Sequence, residues 1–260
     1  MKKIAVITGA SEGLGFAMAD FLSKENYAVI LISRNKNKLE SAAELIKKNG
    51  GEVHFFAADI SNYNELEIVV KQIKEKFVGI DFLINNACLL STKTLDIMTV
   101  EEIKTGTAAG FIGTIFCTKL FTPLLKKNSK ILFVSSGFGL MGPAGYSVYA
   151  AVKAGVINFA SSIRRELLSK KIFVYVALPG DIDTPGYRRE QNEMPAWMRR
   201  SEVRGKILSA EAAAKKIFKK CVGNRFLIFT DFAVYSLYLM KKILPEKVVR
   251  ICIDHIFPRP

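Results

Sequence analysis

The chain has 260 residues, half of them hydrophobic, which suits one large domain and excludes a disordered polymer. Its cysteines, Cys88, Cys117, Cys221 and Cys252, are scattered, and its histidines are only His54 and His255, so a disulfide framework, a paired-thiolate zinc site and a histidine-rich metal centre are excluded; no metal is expected, and a reducing, cytoplasmic compartment is. The formal charge is +14, but no nucleic-acid motif accompanies it and aromatic residues do not alternate with basic ones as a stacking platform requires, so nucleic acid is excluded as a partner.

Lys3–Thr8 reads as an apolar strand. Its apolar run is too short for a signal peptide, and a glycine turn follows at once. A helix is expected over 13–25, a buried strand over 27–33, and an amphipathic helix over 35–49 that Gly50-Gly51 ends. A third strand covers 53–57, and a helix started by Ser61 runs to 77. A fourth strand lies at 80–85, and a long helix spans 100–126 with Pro123 disturbing its last turn. Strand 130–135, helix 147–169 and strand 172–178 come next. A Pro/Gly loop leads into an irregular basic insert at 187–208, a candidate substrate lid. A helix over 210–221, a short strand over 226–230 and an apolar-basic helical extension over 231–260 finish the chain.

The longest apolar stretch, 226–240, contains Asp231 and falls short of the ~20 residues of a spanning helix. Uninterrupted apolar strands alternating with helices give an α/β fold. The expectation is a single domain over 1–260, a Rossmann-type doubly wound parallel sheet of about seven strands with helices on both faces. Ligands in such folds bind beyond the carboxyl ends of the strands.

Residues 186–260 carry sixteen Lys or Arg against seven Asp or Glu. This basic surface is either a set of solvated helix faces or a contact for the anionic cytoplasmic face of a membrane. The helix at 232–244 is apolar nearly all round and is followed at its end by basic residues, so it must be covered by its own core, by a sister subunit in a dimer or tetramer, or by lipid.

Three groups of residues carry chemistry. The first is Thr8-Gly9-Ala10-Ser11-Glu12-Gly13-Leu14-Gly15, between a strand and a helix. Residues without Cβ let backbone N–H groups approach a diphosphate, and the helix N-terminus adds partial positive charge. The second is Tyr149 and Lys153, four apart and so on one helix face, with Ser136 upstream. A cation beside a phenol lowers its pKa and makes it a usable acid near neutrality. The third is the end of the second strand, Ser33-Arg34 with Lys38 one turn on. It lacks the carboxylate that accepts from ribose hydroxyls in NAD sites, and its cations suit a 2′-phosphate, so NADP(H) is the expected cofactor.

The spacing Gly9-x-x-x-Gly13-x-Gly15, with Asn85-Asn86-Ala87, Ser136, Tyr149, Lys153 and Pro179-Gly180-x-Ile182-x-Thr184, resembles the short-chain dehydrogenase/reductase family over nearly the whole chain. The resemblance implies hydride transfer between nicotinamide C4 and a carbonyl carbon. Tyr149 would give the proton, Lys153 would depress its pKa and bond the nicotinamide ribose, and Ser136 would hold the carbonyl oxygen. It implies nucleotide contacts from Gly9, Ser11, Glu12, Gly13, Leu14, Gly15, Ser33, Arg34, Lys38, Asp59, Ile60, Asn86, Ala87, Tyr149, Lys153, Pro179, Gly180, Ile182 and Thr184, with Asp59 accepting from the adenine amino group.

Two departures stand out. Gly110 takes the place of an asparagine that usually helps hold a relay water, and Cys88 replaces the last glycine of Asn-Asn-Ala-Gly. They leave a non-catalytic NADP(H)-binding protein as an alternative. The run Pro179-Gly180-Asp181-Ile182-Asp183-Thr184-Pro185-Gly186-Tyr187 further resembles 3-ketodihydrosphingosine reductases, which implies a long-chain lipid ketone as substrate. A soluble reductase of a steroid, 3-oxoacyl or secondary-metabolite ketone is the competing expectation. Met141, Tyr146, Tyr187, Met194, Trp197 and Met198 are the expected substrate contacts.

Overall fold

The computed structural model describes residues 2–198 and 207–257. Positions 199–206 of the expected lid and 258–260 of the expected extension lie outside them. Strands β1 (Lys3–Thr8), β2 (Tyr27–Ser33), β3 (Glu52–Ala57) and β4 (Ile80–Asn85) alternate with helices α1 (Gly13–Lys24), α2 (Lys36–Lys48) and α3 (Tyr63–Lys76). Then come α4 (Val100–Thr107), α5 (Gly113–Phe121), β5 (Leu125–Val134), α6 (Ser147–Glu166) and β6 (Phe173–Leu178). The last part holds β7 (Ile182–Asp183), α7 (Pro185–Glu193), β8 (Leu208–Ser209), α8 (Ala210–Lys220), β9 (Leu227–Phe229), α9 (Phe232–Ile243) and α10 (Glu246–Ile256).

Seven strands form one parallel sheet in the order β3-β2-β1-β4-β5-β6-β9, the doubly wound arrangement expected. Alternate strand residues face opposite layers. Ala5, Ile7, Val29 and Leu31 join Met18, Leu39 and Ile217 of α1, α2 and α8 in one core. Val6, Ile30 and Ile32 join Leu66, Phe121 and Val156 of α3, α5 and α6 in the other. Because β1 lies between β2 and β4, the winding reverses there, and a crevice opens beyond the carboxyl ends of these two strands.

The structure corrects several element boundaries. The helix expected over 100–126 is broken. A π-helical turn, Ala108–Ile112, separates α4 from α5, and a 3-10 turn at Thr122–Leu124 holds Pro123, whose ring suits a first-turn position. Strand β5 therefore starts at Leu125 rather than 130. The whole helical run Val100–Leu124 is long and apolar enough to cross a membrane by length and composition, which 226–240 is not. Here Cys117 and Phe121 pack one side of it into the core beneath the sheet.

Asn62, not Ser61, caps α3, accepting from the Asn64 and Glu65 amides, while the Ser61 hydroxyl donates to Asp59 Oδ1 at 2.7 Å. The insert is not irregular throughout. Thr184 accepts from the Tyr187 amide and Pro185 follows, a cap and first-turn pair that starts α7. Helix α9 is not covered all round: among its residues only Val234 is buried, and Phe232 and Ile243 are 78% and 72% exposed.

Candidate active site

A cavity of about 980 Å³ occupies the crevice. All the expected nucleotide contacts line it, as do Ser136, Tyr149, Lys153, Met141, Tyr146, Tyr187, Met194 and Met198. Trp197 does not. It packs behind the wall with Tyr146, Met194 and Met198, because the short Pro195-to-Met198 turn directs Met198 inward.

The nucleotide end is built by close backbone approach. Gly9 adopts φ +64°, and a Cβ there would lie 2.8 Å from the Ala87 Cα. A Cβ on Gly15 would lie 2.2 Å from the Gly9 carbonyl oxygen. Asn86 locks the turn, its Nδ2 donating to the Thr8 and Gly9 carbonyls at 3.0 and 3.2 Å, and the Thr8 hydroxyl accepts from the Asn86 and Ala87 amides. Helix α1 begins at this turn, and its N-cap Glu12 supplies no side-chain cap, so the first-turn amides are left for an anion. These residues fit a dinucleotide diphosphate.

At the end of β2 the Ser33 hydroxyl lies 3.1 Å from that of Ser11. Arg34 stands 3.9 Å from Asp59, so the expected adenine acceptor faces a guanidinium. Lys38 donates to Glu12 Oε2 at 2.7 Å, and Arg189 of α7 donates to Glu12 Oε1 at 2.5 Å. Burial pushes the Glu12 pKa up, but the two cations more than offset it and hold the carboxyl below its usual range.

The middle of the cavity holds the expected catalytic set. Lys153 is buried, and its Nζ donates to the Val134 carbonyl at 2.9 Å, 5.5 Å from the centroid of the Tyr149 ring. Ser135 backs the strand, its hydroxyl donating to the Lys153 carbonyl at 2.8 Å. Ser136 accepts from the Phe138 amide at 3.2 Å and hydrogen-bonds Tyr149. The expected acidification of Tyr149 is not what this arrangement gives. Burial raises its pKa, the neighbouring Cys88 adds to this, and the Ser136 hydrogen bond opposes them. The Lys153 ammonium lies over the ring, turned toward a carbonyl.

Gly110 is buried in the π-helical turn and its carbonyl accepts from the Thr114 hydroxyl at 2.9 Å. A Cβ there would lie 2.7 Å from Val152 Cγ1 and 3.0 Å from Cys88 Sγ. The two departures are therefore one packing change: the Cys88 thiol takes space beside the missing side chain.

Several lining residues escaped the sequence reading. Helices α9 and α10, with Phe257 just past the end of α10, contribute Val234, Leu237, Met240, Ile256 and Phe257, an apolar wall. Asp231 joins that wall to the Pro179-Gly180 loop: its Oδ2 accepts from the Gly180 amide at 3.0 Å while its Oδ1 caps α9 through Val234 at 2.9 Å. A Cβ on Gly180 would meet Asp231 Oδ2 at 2.6 Å, so a side chain there would displace the carboxylate. An Asp directly before an apolar helical run was the available signal. Glu190 of α7 also lines the cavity. It accepts from the Tyr146 hydroxyl at 2.5 Å, and burial pushes its pKa up to about 7 against that hydrogen bond.

A family model described as "short chain dehydrogenase" matches residues 3–195. The chain is 28% identical to 3-ketodihydrosphingosine reductase of Bos taurus over 85% of this chain and 69% of that protein. It is 32% identical to a 3-oxoacyl-[acyl-carrier-protein] reductase of Synechocystis sp. over 70% of this chain and 75% of that one. A solved short chain dehydrogenase/reductase from Burkholderia phymatum, in complex with NAD, superposes with a TM-score of 0.84 at 20% identity, covering 100% of this chain and 98% of that one.

Proposed function

The chain belongs to the short chain dehydrogenase family, and from that premise we propose that it is an NADPH-dependent reductase of a long-chain ketone, such as 3-ketodihydrosphingosine. One observation carries the reading: Ser136, Tyr149 and Lys153 face a single cavity that runs from a diphosphate-ready glycine turn to an apolar wall. The nicotinamide supplies the hydride when bound. Gly9, Gly13 and Gly15 receive its diphosphate, and the Pro179-Gly180 loop with Ile182 and Thr184 positions the ring end. Ser136 holds the carbonyl oxygen, Tyr149 donates the proton to it as charge develops, and Lys153 holds the ribose. Ser33, Arg34 and Lys38 receive a 2′-phosphate, which favours NADP(H).

The whole chain, 1–260, is one domain in this reading, with 187–208 as lid and 231–260 as an extension that shapes the substrate end. The long-chain substrate is supported by the apolar wall from α9 and α10, since each buried methylene contributes about 0.8 kcal/mol. The outer faces of these helices pair exposed Phe232, Ile243 and Ile251 with Lys241, Lys242 and Arg250. This composition suits peripheral contact with the cytoplasmic face of a membrane or a subunit contact in a homo-oligomer. A 3-oxoacyl thioester is the second reading, favoured by the 32% identical relative.

The experiment is a panel of NADPH and NADH oxidation with 3-ketodihydrosphingosine, a 3-oxoacyl thioester and a steroid ketone. NADPH oxidation fastest with the long-chain base is expected. Turnover of the thioester or steroid alone would remove the lipid assignment, and preference for NADH would remove the phosphate assignment. Recovery with vesicles, compared with a protein lacking residues 231–260, checks the membrane contact.

A further inference from the structure

Glu190 is chemically out of place beside a carbonyl reduction. It stands on α7, inside the lining of the cavity, with its carboxylate on the Tyr146 hydroxyl at 2.5 Å. The Tyr146 ring lies 6.4 Å from that of Tyr149, centroid to centroid. Both Glu190 and Asp181 raise the Tyr149 pKa through their charge. An anion near the oxygen that gains negative charge opposes the reaction.

Nothing in the described part of the protein cancels that anion. Arg188 is held by Asp183 at 2.8 and 3.0 Å, and Arg189 is held by Glu12. Lys153 of α6 is turned to the Val134 carbonyl. Among the described residues, no Lys or Arg lies within ion-pair distance of Glu190. The charged groups around it, Asp181 from the loop and Glu193 from its own helix, are of the same sign, and both line the cavity. A cationic group on a ligand would complement this carboxylate.

We propose that Glu190, held by Tyr146, is the specificity-determining residue that recognises a cationic amine on the substrate close to the ketone. This rests on the reductase reading and narrows it to amino ketones. The apolar wall of Val234, Leu237, Met240 and Phe257 takes the alkyl chain, and the ammonium sits between the carboxylate and the carbonyl. There it cancels the charge that opposes alkoxide formation, so a substrate without the amine meets an uncompensated anion. Tyr146 is a positioning residue, acting through its hydrogen bond to Glu190.

The test compares 3-ketodihydrosphingosine with its uncharged N-acetyl derivative, in the wild-type protein and in Glu190→Gln. The wild type should favour the free amine by at least about tenfold in kcat/KM, a typical value for a charge-assisted contact. In Glu190→Gln that ratio should fall to near one. The wild-type ratio should also grow between pH 6 and 8 as Glu190 ionises, and should stay flat in the variant. Tyr146→Phe, which keeps the carboxylate but frees it, should give an intermediate ratio. A binding arm uses calorimetry with dodecylamine and dodecan-1-ol in the presence of NADPH. Equal affinities in the wild type, or an amine preference unchanged in Glu190→Gln, overturns the proposal. An amine preference that depends on Glu190 without turnover of any ketone upholds it and overturns the reductase reading instead.

Discussion

Arg189 donates to Glu12 at 2.5 Å, across 177 positions of sequence. The contact ties the helix expected to close over substrate to the turn expected to hold the nucleotide. Lys38 of α2 holds the other carboxylate oxygen at 2.7 Å, so one side chain gathers three segments at the cavity mouth.

That carboxylate competes with a phosphate for the same cations. Glu12→Gln should release Lys38 and Arg189 and raise affinity for NADPH over NADH by about threefold to tenfold, the modest range of half-exposed ion pairs. The gain should shrink at high salt. Fluorescence titration with both nucleotides reads the ratio, and an unchanged ratio means that these cations do not meet the 2′-phosphate.

Glu190 makes stability depend on pH in an unusual direction. In the unfolded chain it ionises at its ordinary value of 4.5, but in the fold only near 7. Between these values the native state binds more protons, so this group's contribution to stability falls as pH rises through the window and is lowest above 7. Glu190→Gln should therefore stabilise the protein more at pH 8 than at pH 5, by on the order of 1–3 kcal/mol. Urea denaturation at the two pH values measures this, and equal effects would show that burial does not hold the proton.

Gly110 and Cys88 should behave as a pair. A Cβ at Gly110 lies 2.7 Å from Val152 Cγ1, so Gly110→Asn overfills the site and should cost roughly 1–3 kcal/mol. Combining it with Cys88→Gly and Val152→Ala should recover most of that loss, because the clashes with Val152 Cγ1 and Cys88 Sγ then disappear. Non-additivity in a chemical-denaturation cycle is the readout; strict additivity would contradict the packing described.

Most of the fold was legible because it rests on short-range patterning. Ala28 to Ile32 is an unbroken apolar run and forms the fully buried part of β2, and Gly9, Gly13 and Gly15 mark a turn that side chains would block. Helix α7 was not legible, since Pro185–Glu193 is polar and carries no apolar stripe to set a period. Its cap, Thr184-Pro185, was the one local cue. The close packing around Gly110 was hidden for another reason: the side chains that crowd it, Val152 and Cys88, are distant in sequence. The same holds for the site. Ser136, Tyr149 and Lys153 were readable by spacing. Glu190, Arg189 and Asp231 were not, because their roles come from partners 44, 177 and 51 positions away.

The account turns on Tyr149 as proton donor. The decisive measurement is NADPH oxidation with 3-ketodihydrosphingosine by Tyr149→Phe, beside a nucleotide titration of the same protein. Removal of a positioned acid should lower kcat by about 10²–10⁴-fold while NADPH affinity stays within about threefold of the wild type. Wild-type turnover by the phenylalanine variant, with nucleotide bound, would contradict the mechanism.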